Sequence, residues 1–242
     1  MNSQPLSHDI NRVAEASVAL AQIEEHLHSV DMSGSKLVQD VAGSLIFFSE
    51  RFASHPIPTN LGTLRRAVAE IVRRLPNFHA GDVGLHTGLA GVAWATNYAL
   101  SRCGPDVLGL DVDATEDIDQ FLFESITSGD DFHYDMISGL VGVGHYALSR
   151  RDDVVADAIG RAVLRRLRDS AETRHGRSSW LTPVHHLPKH ERKAHPHGWY
   201  NLGLAHGIPG VIAFLSRSAL EGRTEADDVT LLRNATAWFL EQ

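Results

Sequence analysis

One short pattern, a pair of glycines three residues apart in an apolar setting, returns along this chain in a single register and limits its possible folds more than any other feature. It reads Gly84-Leu85-His86-Thr87-Gly88-Leu89-Ala90-Gly91, then Asp135-Met136-Ile137-Ser138-Gly139-Leu140-Val141-Gly142, then Gly203-Leu204-Ala205-His206-Gly207-Ile208-Pro209-Gly210. A degraded first copy is Gln39-Asp40-Val41-Ala42-Gly43. From Asp40 the copies step to Gly88, Gly139 and Gly207, by 48, 51 and 68 residues. The last step is long because a Pro/His-rich insert, residues 173–200, fills much of it. A period of this size without a strand pattern specifies a helical array.

The segments between the glycine pairs are one-faced helices. Ile10, Val13, Leu20, Ile23 and Leu27 share a stripe near the N-terminus, and Leu64, Val68, Ile71, Val72 and Leu75 share another. Val155, Ile159, Val163 and Leu167 make a third, with further helices expected over 113–127 and 224–242. The glycine-started segments, 88–100, 139–148 and 207–215, are apolar nearly all round and must be buried among other helices. Alternation of the two kinds is the pattern of a double ring, outer helices surrounding inner ones.

Composition removes several classes of function. A net charge of −8 gives nothing to neutralise phosphates, so no nucleic-acid partner is expected. No apolar run approaches the roughly 18 residues of a membrane span, and the N-terminal residues lack the basic and apolar regions of a signal peptide. Cys103 is the only cysteine, which forbids an internal disulfide. The expected location is the cytoplasm.

Each inner helix starts at the same kind of position. Thr87 and Ser138 precede their glycines and have hydroxyls suited to cap a helix N-terminus. Glycine at a helix start costs up to about 1 kcal/mol relative to alanine, and the expected compensation is close approach of inner helices around an axis. Two residues break the register at one rim. His206, a poorer cap, stands where Thr87 and Ser138 stand, and Asp135 stands where Gly84 and Gly203 stand. An imidazole and a carboxylate converging there form a candidate acid–base pair. The structural alternatives are a histidine donating to a neighbouring carbonyl and an aspartate capping the helix after Ser138.

The runs Tyr134 to Gly142 and Tyr200 to Gly210, with Trp180-Leu181-Thr182-Pro183 ahead of the second and Gly88-Leu89-Ala90-Gly91 before both, resemble the lanthionine synthetase C-like family, the lantibiotic cyclases. The likeness runs from about Ser35 to the C-terminus, and Asn201 to Gly210 is its most specific part. The resemblance implies an all-α fold, an α/α toroid of seven inner and seven outer helices, of which residues 1–242 would form a single incomplete domain with about four of the seven repeats. It implies an enzyme that adds peptide cysteine thiols to dehydroalanine or dehydrobutyrine, closing thioether rings. It also implies a zinc ion held by two cysteines and a histidine. The partners it implies are a dehydrated precursor peptide or small thiol, and a dehydratase. The family's acid–base histidine and aspartate map onto His206 and Asp135.

The departures matter as much. The family's zinc motifs, Trp-Cys-Tyr-Gly and Cys-His-Gly, do not occur here. By the resemblance the zinc ligands lie beyond Gln242, the last residue, and no metal ligand is assigned before it. Cys103 lies about 15 residues, or roughly 22 Å, from the rim along its helix and reads as an inert thiol. The histidines of the insert (His175, His185, His186, His190, His195 and His197) are expected on a flexible surface loop, where only His186 and His190 have helical spacing and Pro188 spoils that helix. The chain by itself is therefore expected to carry no tightly bound zinc, to be inactive, and to self-associate through open toroid edges. Two further readings stand beside the cyclase: a non-catalytic remnant that binds peptide or protein, and a toroid glycosidase using Asp131 and Asp135 as paired acids.

Overall fold

The computed structural model describes residues 5–34, 38–79, 81–150 and 153–242, with side chains described for 12–33, 40–79, 81–150 and 153–242. Residues 1–4, Ser35 and the side chains of Ile10 and Gln39 lie outside the described residues. The helices are α1 (Pro5–Ser29), α2 (Val38–Ser54), α3 (Pro58–Arg74), α4 (Leu89–Cys103), the single turn α5 (Pro105–Leu108), α6 (Glu116–Thr127), α7 (Leu140–Ser149), α8 (Val154–Ser170), α9 (Ile208–Leu220) and α10 (Ala226–Phe239). Two elements fall short of the sequence expectation. Thr115 is the N-cap of α6, and a reciprocal Glu225–Asp228 capping box fixes the start of α10. The expected helix to Gln242 stops at Phe239, and the Gln242 N–H donates to Phe239 O at 3.3 Å in the turn that follows.

The order of packing follows the alternation in the sequence. Helices α2, α4, α7 and α9 lie side by side in that order, and each packs on a later helix: α3, α6, α8 and α10 respectively. Inner α7 is buried almost throughout, from Leu140 to Leu148, whereas outer α8 buries one stripe of Ala156, Ile159, Ala162, Val163, Leu164 and Leu167. Phe48, Leu122, Ile126, Tyr146 and Phe214 are fully buried, Phe214 of α9 lying against His145 of the neighbouring inner helix α7. Full burial of such a side chain contributes about 1.5–3 kcal/mol, so the interlayer seam holds the arc together. Helix α1 departs from its predicted role: Leu27 packs on the core, but Val13, Leu20 and Ile23 are exposed. Polar contacts hold its C-terminal end, with Arg51 on Glu24 at 2.6 Å and His28 against Thr63 at 2.6 Å. Among the described residues no helix is long and apolar enough to cross a membrane.

Gly84, Gly142 and Gly144 serve the close approach expected, a Cβ on each falling inside 3.0 Å of Ser138, Leu85 or Phe214 of a neighbouring repeat, but the glycines that start the helices serve a second contact. Gly88, Gly139 and Gly207 are themselves the N-caps of α4, α7 and α9, in extended backbone, with no side-chain cap from Thr87, Ser138 or His206. The free amides of the first turn are met by carbonyls of the loop folding back beneath it. Leu89 donates to Asp82 O at 2.8 Å, Leu140 to His133 O at 2.9 Å and Ile208 to Asn201 O at 2.9 Å, each seven residues back. A Cβ on any of the three glycines would fall inside 3.0 Å of those same carbonyls, and one on Gly91, Gly142 or Gly210 would strike the carbonyl of Leu85, Met136 or Leu204. Hydroxyl capping is thus replaced by backbone capping, and glycine alone leaves room for it. The degraded copy has lost this need: Gly43 lies inside α2 with nothing within 4 Å of its missing Cβ. Gly43→Ala is expected to stabilise the fold by up to about 1 kcal/mol, read as a higher urea midpoint at unchanged slope; a lower midpoint would refute this.

The insert is tied down at both ends. Strands β1 (Glu172–Arg174) and β2 (Arg177–Ser179) form an antiparallel hairpin whose two turn residues, His175 and Gly176, both have positive φ, as a tight two-residue hairpin turn requires. Trp180 is fully buried and its indole N–H donates to Leu167 O at 3.0 Å. A bridge between Thr182 and Trp199 closes the far end.

Candidate acid–base site at the rim

The three register loops are joined edge to edge by backbone hydrogen bonds. His86 N–H donates to Ile137 O at 2.9 Å, and Met136 N–H donates to Ala205 O at 3.1 Å. Thr87, Ser138 and His206 therefore occupy one equivalent exposed place in successive loops of a single rim, each just before a glycine that caps an inner helix. Asp135, two loop positions before Ile137, is drawn inward and is 2% exposed.

The two exceptions to the register meet. His206 Nδ1 lies 2.6 Å from Asp135 Oδ2, while Asp135 Oδ1 accepts from the Ser138 N–H at 2.8 Å. The capping alternative for Asp135 and the acid–base reading thus coexist, one carboxylate oxygen for each. His206 bonds to a carboxylate, not to a backbone carbonyl. Burial pushes the Asp135 carboxyl up, but the adjacent His133, the His206 hydrogen bond and the Ser138 N–H together hold it below the usual carboxylate value. An ionised carboxylate only accepts, so the proton of this contact sits on His206 Nδ1. That fixes the tautomer and leaves Nε2 of a half-exposed ring facing solvent, able to take or give a proton.

His133 belongs to the same cluster and is not singled out by the sequence reading. Its Nδ1 lies 3.0 Å from the Asp135 backbone nitrogen and 3.5 Å from Asp135 Oδ2. The ring stacks on Tyr134, whose hydroxyl reaches Thr182 Oγ1 at 3.0 Å. The available signal was its position two residues before an aspartate that breaks the repeat.

Asp131 does not pair with Asp135. It is 71% exposed and its Oδ2 contacts His185 Nε2 at 2.7 Å. The His185 contact outweighs desolvation and holds this carboxyl, too, below its usual value. A glycosidase needs one acid with a raised pKa to protonate the leaving group, and neither carboxyl has one.

Behind the rim a cleft of about 790 Å³ runs along the inner helices. Leu85, His86, Met136 and Ile137 line it at the rim, Trp94 in its wall, and His145 and Arg217 on α7 and α9. Neither Asp135 nor His206 lines it. Burial, and the Arg217 charge after it, push the His145 imidazole below its ordinary value, and its Nε2 has no hydrogen-bond partner.

The metal expectation divides in two. Cys103 is the last residue of α4, at the end away from the rim; its thiol contacts Ser49 O at 3.5 Å and burial raises its pKa. A half-buried thiol of raised pKa, standing alone, does not fit a two-cysteine, one-histidine zinc set. The sequence reading assigns no metal ligand before Gln242, and it does not bring together one group of donors that the structure does. Among the described residues Asp131, His185 and His186 hold their donor atoms within 4.8 Å of one another. Pro188 does spoil a helix through His186 and His190, but the grouping uses a carboxylate from outside the insert and needs no helix.

A family model described as lanthionine synthetase C-like protein matches residues 31–242. Among solved structures the chain is similar to one titled nisin cyclase, at 20% sequence identity and a TM-score of 0.69. The match covers 94% of this chain and 57% of that one, so the chain spans less than two thirds of its structural relative. No curated protein sequence matches it.

Proposed function

The chain belongs to the lanthionine synthetase C-like family, and from that premise we propose that Asp135 and His206 are the acid–base element of a thiol addition to dehydroalanine or dehydrobutyrine in a peptide. The observation that carries the proposal is the 2.6 Å contact between the two residues that depart from an otherwise regular repeat. In this reaction sulfur bonds to the β-carbon, the double-bond electrons move toward the α-carbon and its carbonyl, and a proton must reach the α-carbon. We assign that proton to His206 Nε2, a reading supported by Asp135 on the other nitrogen, where it would stabilise the imidazolium. The apolar cleft behind the rim, which neither residue lines, has the size to hold a side chain or two of a peptide whose reacting residue lies at the rim. A dehydrated precursor peptide is the proposed substrate, and the dehydratase that makes it a proposed partner.

In this family zinc lowers the pKa of the attacking thiol. The residues up to Gln242 supply no pair of thiolates for it, and a free thiol of pKa about 8.5 is only a few per cent ionised at neutral pH. The expected result is therefore conditional. A dehydrated, cysteine-containing peptide incubated with this chain shows no thioether formation above background. The same chain joined after Gln242 to the remaining family repeats forms rings, read as loss of free thiol at unchanged peptide mass. Ring closure by the 242 residues alone would overturn this division, and no closure by the joined protein would overturn the function.

A further inference from the structure

The insert and the loop leading to Asp135 bring together three ligand-bearing side chains that are remote in sequence. His185 and His186 are consecutive residues of a short 3-10 turn, Val184–His186, and both direct Nε2 toward Asp131. The distances to Asp131 Oδ2 are 2.7 Å for His185 and 3.5 Å for His186, and all three donor atoms lie within 4.8 Å of one another. Spacing within the insert could not reveal this set, because its carboxylate arrives from 54 positions away.

A second observation points to a ligand. His186 Nε2 is closed off from solvent and has no hydrogen-bond partner. A buried polar atom without a good partner is costly, and at 3.5 Å the Asp131 carboxylate offers His186 Nε2 at most a weak one. A cation between them satisfies all three.

We infer that Asp131, His185 and His186 form a binding site for one divalent cation of the zinc class. Two imidazole nitrogens and one carboxylate suit zinc and its neighbours; calcium and magnesium take oxygen ligands. Tetrahedral coordination at about 2.0–2.2 Å places donor atoms roughly 3.3–3.6 Å apart. The 3.5 Å contact already meets this, and the 2.7 Å contact opens through rotation of two exposed side chains. Three protein ligands leave the fourth position to water. The site fastens the insert to the segment that carries Asp135, since His133 packs edge-on against His186 at 5.1 Å between ring centres. It contains no cysteine and is distinct from the family's thiolate site.

The test uses the tag-free 242-residue chain, stripped with chelator and titrated with zinc by calorimetry and with cobalt by visible absorption. One metal per chain is expected, with a rise in melting temperature on zinc addition. Asp131→Asn, His185→Asn and His186→Ala each weaken binding at least about tenfold and abolish the rise. His190→Ala and His195→Ala, whose rings neighbour Glu191 on the same insert, leave both unchanged. Because Asp131 and His185 are largely exposed, their variants fold even if His186→Ala does not. Absence of one-to-one saturation, or equal loss in the His190 and His195 variants, would show incidental histidine affinity and overturn the site.

Discussion

His206→Ala, made in a protein that also carries the remaining repeats of its family, is expected to slow thioether formation by about a hundredfold or more, the loss typical of removing a general acid or base. That factor corresponds to about 2.7 kcal/mol of transition-state stabilisation. Asp135→Asn tests the pair differently. The amide oxygen can still accept from the Ser138 N–H, so the loop keeps its cap. The amide nitrogen, however, would donate to His206 Nδ1 and move the ring proton to Nε2, which then cannot act as a base. A loss of similar size is expected, with thermal stability less affected than by Asp135→Ala. Rates within a factor of about three of the parent in both His206→Ala and Asp135→Asn would remove these residues from the chemistry.

Arg150→Ala is expected to destabilise the fold by about 3–5 kcal/mol, the cost of leaving a buried charge without its partner. Asp119 is 2% exposed and is hydrogen-bonded to Tyr146 Oη and Arg150 Nη1. Arg150 also holds Asp153, the N-cap of α8 whose carboxylate accepts from the Ala156 N–H at 2.9 Å. One guanidinium thus joins α6, α7 and α8 at a point where burial already raises the Asp119 pKa. Without it the carboxylate keeps the Tyr146 hydroxyl but has lost its counter-charge, so the loss should shrink as pH falls and Asp119 takes up a proton. Asp119→Asn in an Arg150→Met background should recover much of the stability, because it removes the stranded charge. Urea unfolding measures both; a single variant within about 1 kcal/mol of the parent would contradict this account.

The array and its rim were legible because they depend on local periodicity. Apolar residues all round the segments at 139–148 and one stripe on 154–170 dictate which helix lies inside, and a shared register dictates that the loops align. His206 and Asp135 stood out as departures from that register. Thr87 and Ser138 misled because cap preference describes an isolated helix end, whereas here the loop's own carbonyls reach the first turn. No propensity encodes a bond from Leu140 to His133 O. The exposed stripe on α1 shows the converse: amphipathic spacing states that a face could be buried, not that a neighbour is present. The meeting of Asp131 with His185 and His186 was invisible for a third reason, since it depends on how a hairpin and a bridge fold an irregular insert back onto the body. The turn at His175-Gly176 gave no asparagine or aspartate signal for that hairpin.

The hydrogen bond from Met136 to Ala205 has a consequence for how such an array can change. Asp135 belongs to the third copy of the motif and His206 to the fourth, so the pair exists only across a seam between units. In stacked-repeat proteins each unit touches chiefly its neighbours. Insertions elsewhere in a repeat, away from the contacts that Thr182 and His186 make with Tyr134 and His133, can therefore grow without disturbing the pair. A change in the tilt between these two units cannot, because it alters the 2.6 Å separation directly. The separation of the pair thus follows ring curvature, and splicing in a repeat with different pitch on either side of this seam would part the two side chains while leaving every residue of both loops intact.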